Sequence, residues 1–243
     1  MNVHVLKINF NFGGNDHIIY PVIFRNQTEV ILVDCGYPDF LPMIERAANL
    51  HDISLNQLTG IIITHHDIDH VGGLYEIRKK YPHIKVYCSG PEEPFISGHK
   101  KSLRLEQAET LFPSVPDDQK EGAYYFQEML QSVQPVKVDG LLSDGEDPDF
   151  LKGVRIIYTP GHMPGHISFY IEESKTLVAS DAVVYEDGEL EIANPDYTLD
   201  LNAAIDSVKK LQAFDIKKII CYHGGVVEEN PGHLLDNLIL KYS

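Results

Sequence analysis

Four side chains able to bind a metal ion fall within six positions, at His65, Asp67, Asp69 and His70, in the segment Thr64-His-His-Asp-Ile-Asp-His-Val-Gly-Gly73. Along an extended segment successive side chains alternate, which would turn His65, Asp67 and Asp69 to one side. His70 would join them as a helix begins. One short stretch could thus serve two metal ions. Imidazole and carboxylate together suit zinc, iron or manganese, and residue types alone do not choose among them.

Positioning these groups falls to strand-like runs that end on potential ligands. Residues 60–64 lead into His65, 154–161 into His162, 176–180 into Asp181 and 218–222 into His223. If these strands share a sheet edge, their ends converge. Gly72-Gly73, Pro164-Gly165 and Gly224-Gly225 would let the backbone turn sharply beside such a site. A single strand-end histidine is more often a cap or a core residue than a ligand; the ordered set carries the inference. Apolar, β-branched runs at 18–24, 30–33, 60–63, 84–87, 154–158, 167–171, 176–179 and 218–221 predict strands, and residues 1–12 alternate as a further one. Helical patterns cover 39–50, 71–81, 102–111, 117–131, 199–214 and 233–240. Helices interspersed with strands predict a layered α/β or α+β fold in one domain over residues 1–243. The stretch 90–149, richer in Pro, Glu, Gln and Ser, reads as a helical insertion bordering the site.

The 64–73 segment strongly resembles the His-x-His-x-Asp-His signature of the metallo-β-lactamase superfamily, and the later segments match that family's remaining ligand motifs in order. Residues 30–36 resemble its early strand ending in Asp-x-Gly. The resemblance implies an α+β fold, a four-layer αββα sandwich with the site at one edge of two sheets. It implies two divalent metal ions: His65, Asp67 and His162 on the first, Asp69, His70 and His223 on the second, with Asp181 bridging. The sequence departs from the signature at Asp67, where a histidine is usual, while His66 occupies a position without a ligand role. A carboxylate there makes the first site harder and more anionic, which favours iron or manganese, although zinc remains the preferred ion. Flavo-diiron oxidoreductases of the family carry an acidic residue at that place, but nothing in this chain resembles a flavodoxin module.

Such a centre implies a hydrolase in which a bridging hydroxide attacks a small carbonyl substrate, a lactone, ester or thioester, with Asp69 orienting the water and shuttling its proton. An iron-containing oxidoreductase is the alternative. A glyoxalase II-like thioesterase, a nuclease and an inactive metal-bearing binding protein are weaker ones. Beyond His223 only Lys241 could grip a glutathione carboxylate. The formal charge of -16, from 36 acidic and 20 basic residues, repels nucleic acid and anionic lipid and leaves a small molecule as the expected partner. Three cysteines without paired spacing and no export signal point to the cytoplasm.

Of the remaining candidates, Tyr185 and Tyr197 follow Asp181 where a loop should border the pocket, and either phenol could bind substrate. Asp34 reads equally as an orienting group for a ligand or as an ordinary turn residue. His66 and His166 read as supporting or packing residues, with His166 placed to bond a ligand carboxylate. Cys221 reads as a small buried strand residue, not a reactive thiolate.

Overall fold

The computed structural model describes residues 1–194 and 197–242. The chain begins with β1 (Asn2–Val5), β2 (Ile8–Phe12), β3 (Asn15–Ile19), β4 (Val22–Arg25), β5 (Val30–Val33), α1 (Leu41–Asn49), β6 (Gly60–Ile62), α2 (Ile68–Val71), α3 (Leu74–Lys80) and β7 (Lys85–Ser89). It continues through α4 (Glu93–Ile96), α5 (Leu103–Leu111), α6 (Lys120–Ser132) and β8 (Gly140–Leu142). The last part holds β9 (Val154–Tyr158), β10 (Ile167–Ile171), β11 (Thr176–Ser180), β12 (Val184–Glu186), β13 (Glu189–Glu191), α7 (Leu201–Leu211), β14 (Lys218–Cys221), β15 (Gly225–Val227) and α8 (Pro231–Lys241).

Two mixed sheets form, one in the order β1-β4-β5-β6-β7-β8 and the other in the order β15-β14-β11-β10-β9. Their inner faces share one apolar layer, in which Ile31, Val33 and Ile62 meet Ile156, Phe169, Val178 and Ile220. Period-two alternation sends the intervening residues outward. Leu32, Ile61 and Ile63 pack against Ile44, Ala48, Leu74 and Ile77 of α1 and α3. On the other side Leu177, Ala179 and Ile219 pack against Ala204, Val208 and Leu211 of α7 and Leu235 and Leu238 of α8. The result is the αββα arrangement that the family resemblance implied. Strands buried on both faces read as unbroken apolar runs, which is why they were visible.

Four expectations change in detail. The 18–24 run is two strands, because Pro21 has no amide hydrogen for a ladder; it belongs to a β2–β3 ribbon and then to β4. The alternating segment 1–12 likewise divides into β1 and β2. The helix expected over 71–81 is α3, which starts only at Leu74; Val71 instead ends the short α2, and Gly72-Gly73 lie between the two. These glycines lack positive φ and serve close approach, since a Cβ would lie 2.4 Å from the Pro38 ring at Gly72 and 2.4 Å from the Cys35 carbonyl at Gly73. Finally, the insertion is helical only over α4 to α6; its last third returns as β8, pairing parallel to β7.

Strands β5, β6 and β7 run parallel, as do β11 and β14, while β9 points the same way as β11 because both pair antiparallel to β10. The carboxyl ends of β5 and β6 in one sheet and of β9, β11 and β14 in the other therefore gather at one edge of the sandwich. Crevices beyond such strand ends are where ligands bind in sheets of this kind.

Candidate metal centre

All seven expected ligand residues meet at that edge. Their donor atoms fall into three overlapping groups: His65, Asp67 and His162; His65, His70 and Asp181; Asp69, His70 and His223. Asp181 is at the centre. Its Oδ2 lies 3.3 Å from His70 Nε2, 3.7 Å from both His162 Nε2 and His223 Nε2, and 4.0 Å from His65 Nε2. Two donors bound at about 2.0–2.1 Å to one tetrahedral ion sit roughly 3.3 Å apart, so this spacing matches groups arranged around cations. The Nε2 atoms of His65 and His70 and Oδ1 of Asp181 are buried without a hydrogen-bond partner. Buried polar atoms are nearly always satisfied, so the donor set fits divalent ions.

The backbone aims these groups. Ser180 at the end of β11 adopts φ 49°, at a register shift between β11 and β14, and this turns Asp181 away from the ladder. His223 precedes Gly224 (φ +100°), where a Cβ would lie 2.0 Å from the Tyr185 carbonyl; only glycine fits.

A buried hydrogen-bond web fixes the rings. Asp34 Oδ2 accepts from His70 Nδ1 at 2.9 Å, its Oδ1 accepts the Thr64 amide at 2.9 Å, and its backbone has φ 63°. Of the two readings open for Asp34, the orienting one matches the structure. Thr64 Oγ1 lies 3.0 Å from His65 Nδ1 and 2.9 Å from Ser180 Oγ. His166 does not touch a ligand carboxylate as expected; its Nε2 accepts the Asp181 amide at 3.1 Å, and its Nδ1 meets Thr159 Oγ1 at 2.8 Å. Burial pushes His166 down to about 3, which keeps it a neutral acceptor. Burial would also lower His70 and His223, but Asp181 and Asp69 hold both above the ordinary histidine range. Burial and the neighbouring imidazoles push His65 down. Asp181 is held well below the usual carboxylate range by His70 and His223, despite a burial cost that acts the other way. Cys221 is buried and burial pushes its thiol up to an unreactive state.

Two supports were not foreseen. Arg104 of α5 forks onto Asp67, with Nε 3.0 Å from Oδ1 and Nη2 2.7 Å from Oδ2, and His162 Nε2 also donates to Oδ2 at 2.9 Å. Burial would raise Asp67, but His162 and Arg104 hold it well below the usual range. Glu92, fully buried, accepts the amides of His66 at 2.9 Å and Gly165 at 2.8 Å and pairs closely with His66 Nδ1. His66 Nε2 in turn accepts the Leu103 amide at 3.3 Å. These contacts tie the insertion to the ligand segment. No sequence motif signals them, because both partners are long-range.

Beside the centre opens a cavity of about 430 Å³, walled by Tyr37, Ile68, Phe126, Met129, Val184 and Ala193, with Phe12 and His17 of the β2–β3 ribbon at its side. Tyr197 lines it, its ring 5.1 Å from the Arg104 guanidinium carbon. Tyr185 does not. On β12 the flanking Val184 and Glu186 face the cavity, and alternation turns Tyr185 to the α7–α8 core. Tyr37, which the sequence did not single out, is kept protonated by burial and by Asp69, Asp181 and Asp67.

Residues 14–223 match the model of the metallo-β-lactamase superfamily. The chain belongs to this superfamily. Among metallo-β-lactamase-fold structures, a family protein from Thermus thermophilus superposes with a TM-score of 0.75 at 22% identity, over 99% of this chain and 79% of that one. A probable metallo-hydrolase of Bacillus subtilis is 29% identical over 80% of this chain and 75% of its own length. An N-acyl homoserine lactonase of Bacillus cereus is 33% identical over 46% of each chain. A hydroxyacylglutathione hydrolase of Synechococcus is 27% identical over 69% of this chain and 49% of its own length, so the chain spans about half of each of these last two. This metallo-β-lactamase relative has no helix among its described residues long and apolar enough to cross a membrane.

Proposed function

We propose that the protein is a hydrolase of neutral carbonyl substrates, lactones or esters ahead of thioesters, working with two divalent ions, zinc preferred. The observation that carries this reading is the set of buried donor atoms without hydrogen-bond partners around Asp181 at the base of an apolar-walled cavity. His65, Asp67 and His162 would hold one ion, Asp69, His70 and His223 the other, and Asp181 would lie between them. When bound, the ions supply an acidified water and a Lewis acid for the substrate carbonyl.

The chain's own groups supply the rest. Asp69 is the ligand carboxylate most open to the cavity, with its Oδ2 3.1 Å from His223 Nε2, and is placed to orient the attacking water and take its proton. Tyr37, held protonated, can donate a hydrogen bond to a substrate oxygen. Ile68, Phe126, Met129 and Val184 would bury an apolar acyl portion and exclude water. Tyr197, stacked on Arg104, would border the substrate.

Two observations favour a neutral substrate over a glutathione thioester. The cavity's one arginine is engaged by Asp67 and the Tyr197 carbonyl. Lys241, the cationic side chain beyond His223, pairs with Glu189 at 2.6 Å and with Glu191 and is not part of the cavity wall. The likeness to the lactonase and to the hydroxyacylglutathione hydrolase supports hydrolysis of this general kind. Arg104 also offsets the charge of Asp67 and so removes the ground for preferring iron.

The test is a panel of esters, lactones and thioesters with wild type, Asp69→Ala and His70→Ala. Turnover is expected to fall by orders of magnitude in both variants, with the fold retained. Full activity in both, or no turnover by wild type above metal-free protein on any substrate, would overturn the proposal.

A further inference from the structure

Arg104 is only 3% exposed, lies outside every ligand motif, and is fixed from several sides. Its fork onto Asp67 uses Nε and Nη2; Nη2 also donates to the Tyr197 carbonyl at 2.7 Å, Nη1 donates to Gln107 Oε1 at 2.6 Å, and the Tyr197 ring covers the guanidinium. A guanidinium keeps its proton under all ordinary conditions, so the charge is permanent. Among the described residues the ion pairs of Asp69 and Asp181 are with histidines alone.

The two halves therefore differ in charge. His65, Asp67 and His162 together with Arg104 sum to zero with neutral imidazoles, whereas Asp69, His70 and His223 sum to one negative charge, and Asp181 is common to both. Any ion in the first half must also share Asp67 Oδ2 with a cation already bound there, and like charges at such separations repel strongly in a buried setting.

We propose that Arg104 makes the two halves of the centre unequal: it competes for Asp67, so the half built from Asp69, His70 and His223 takes a divalent ion at lower concentration than the half built from His65, Asp67 and His162. The inference rests on the two-ion reading above. Arg104 is here a positioning and charge-setting residue that acts through Asp67. Its consequence is a protein whose second ion, and with it full activity, follows metal supply.

The experiment is a calorimetric titration of chelator-stripped protein with zinc, with circular dichroism to show that each variant folds. Wild type should bind zinc in two steps separated by about tenfold or more. His162→Ala should abolish the weaker step and keep the tighter one. Arg104→Met, neutral and similar in length, should tighten the weaker step by about tenfold or more, while Arg104→Lys, which keeps the charge without the fork, should leave it weak. Arg104→Gln carries the same expectation as the Met variant if that one does not fold. A weaker step that is unchanged or weakened further in the neutral variants overturns the inference, as do two equally tight steps in wild type. No zinc bound by wild type or any variant overturns the two-ion reading itself.

Discussion

Asp34 accepts hydrogen bonds from His70, from the Thr64 amide and from Ser180, at a backbone φ of 63° that asparagine tolerates as well as aspartate does. It fixes the ring whose other nitrogen faces Asp181, so Asp34→Asn should keep the fold and lower zinc affinity by about 10–100-fold in a competition titration with a chromophoric chelator. Unchanged affinity would make Asp34 a turn residue only. The seven donor residues were legible in the sequence because His65, His162, Asp181 and His223 each follow a strand-like run, because Asp67, Asp69 and His70 crowd beside the first of them, and because the ordered set resembles the superfamily's ligand motifs. Arg104 was not, because its partner Asp67 is 37 residues away and a lone arginine in a helical pattern carries no signal. Tyr185 and Tyr197 could not be separated by type; only the alternation along β12 turned one inward and left the other beside the cavity.

At the scale of elements, the junction between α4 and the ligand segment carries a prediction about stability. Glu92 is buried with three partners on two other segments, so Glu92→Ala would leave the amides of His66 and Gly165 unsatisfied. A loss of about 3 kcal/mol in urea unfolding is expected, with a raised KM because α5 and α6 wall the cavity. A loss indistinguishable from zero would show that the insertion docks by its apolar contacts alone. Gly224→Ala should be as costly, because its Cβ would meet the Tyr185 carbonyl and displace His223; a reduced zinc stoichiometry alongside reduced stability would report it. Strand positions were readable from apolar runs, and Gly72-Gly73 stood out as glycines beside the site, but the break at Pro21 and the short β8 were not readable. β8 holds only three residues and gains its place from pairing with β7, a contact that local sequence does not encode.

The molecule as a whole is two sheets whose edges must stay in register for seven groups to meet. Phe169 stands between them, fully buried and edge-on to Phe24 at 5.5 Å between ring centroids. Phe169→Ala should cost about 3–5 kcal/mol by emptying the layer that aligns the sheets, read as a lowered denaturation midpoint. Bound metal should act in the opposite sense: zinc at about 100 times its dissociation constant adds roughly 2.7 kcal/mol, lost on chelation as a fall in Tm. The layered architecture was legible because strands buried on both faces look unlike helices. Of the cavity's walls, α6 and β12 lie in the two stretches that the sequence set beside the site, whereas the β2–β3 ribbon, far away in sequence, carries no such signal. The most direct measurement is the number of zinc ions bound per chain at saturation, determined by elemental analysis beside hydrolysis of a neutral lactone or ester. Two per chain, with hydrolysis that disappears on chelation and returns with zinc, is the predicted result; fewer than two at saturation, or hydrolysis indifferent to metal, would contradict it.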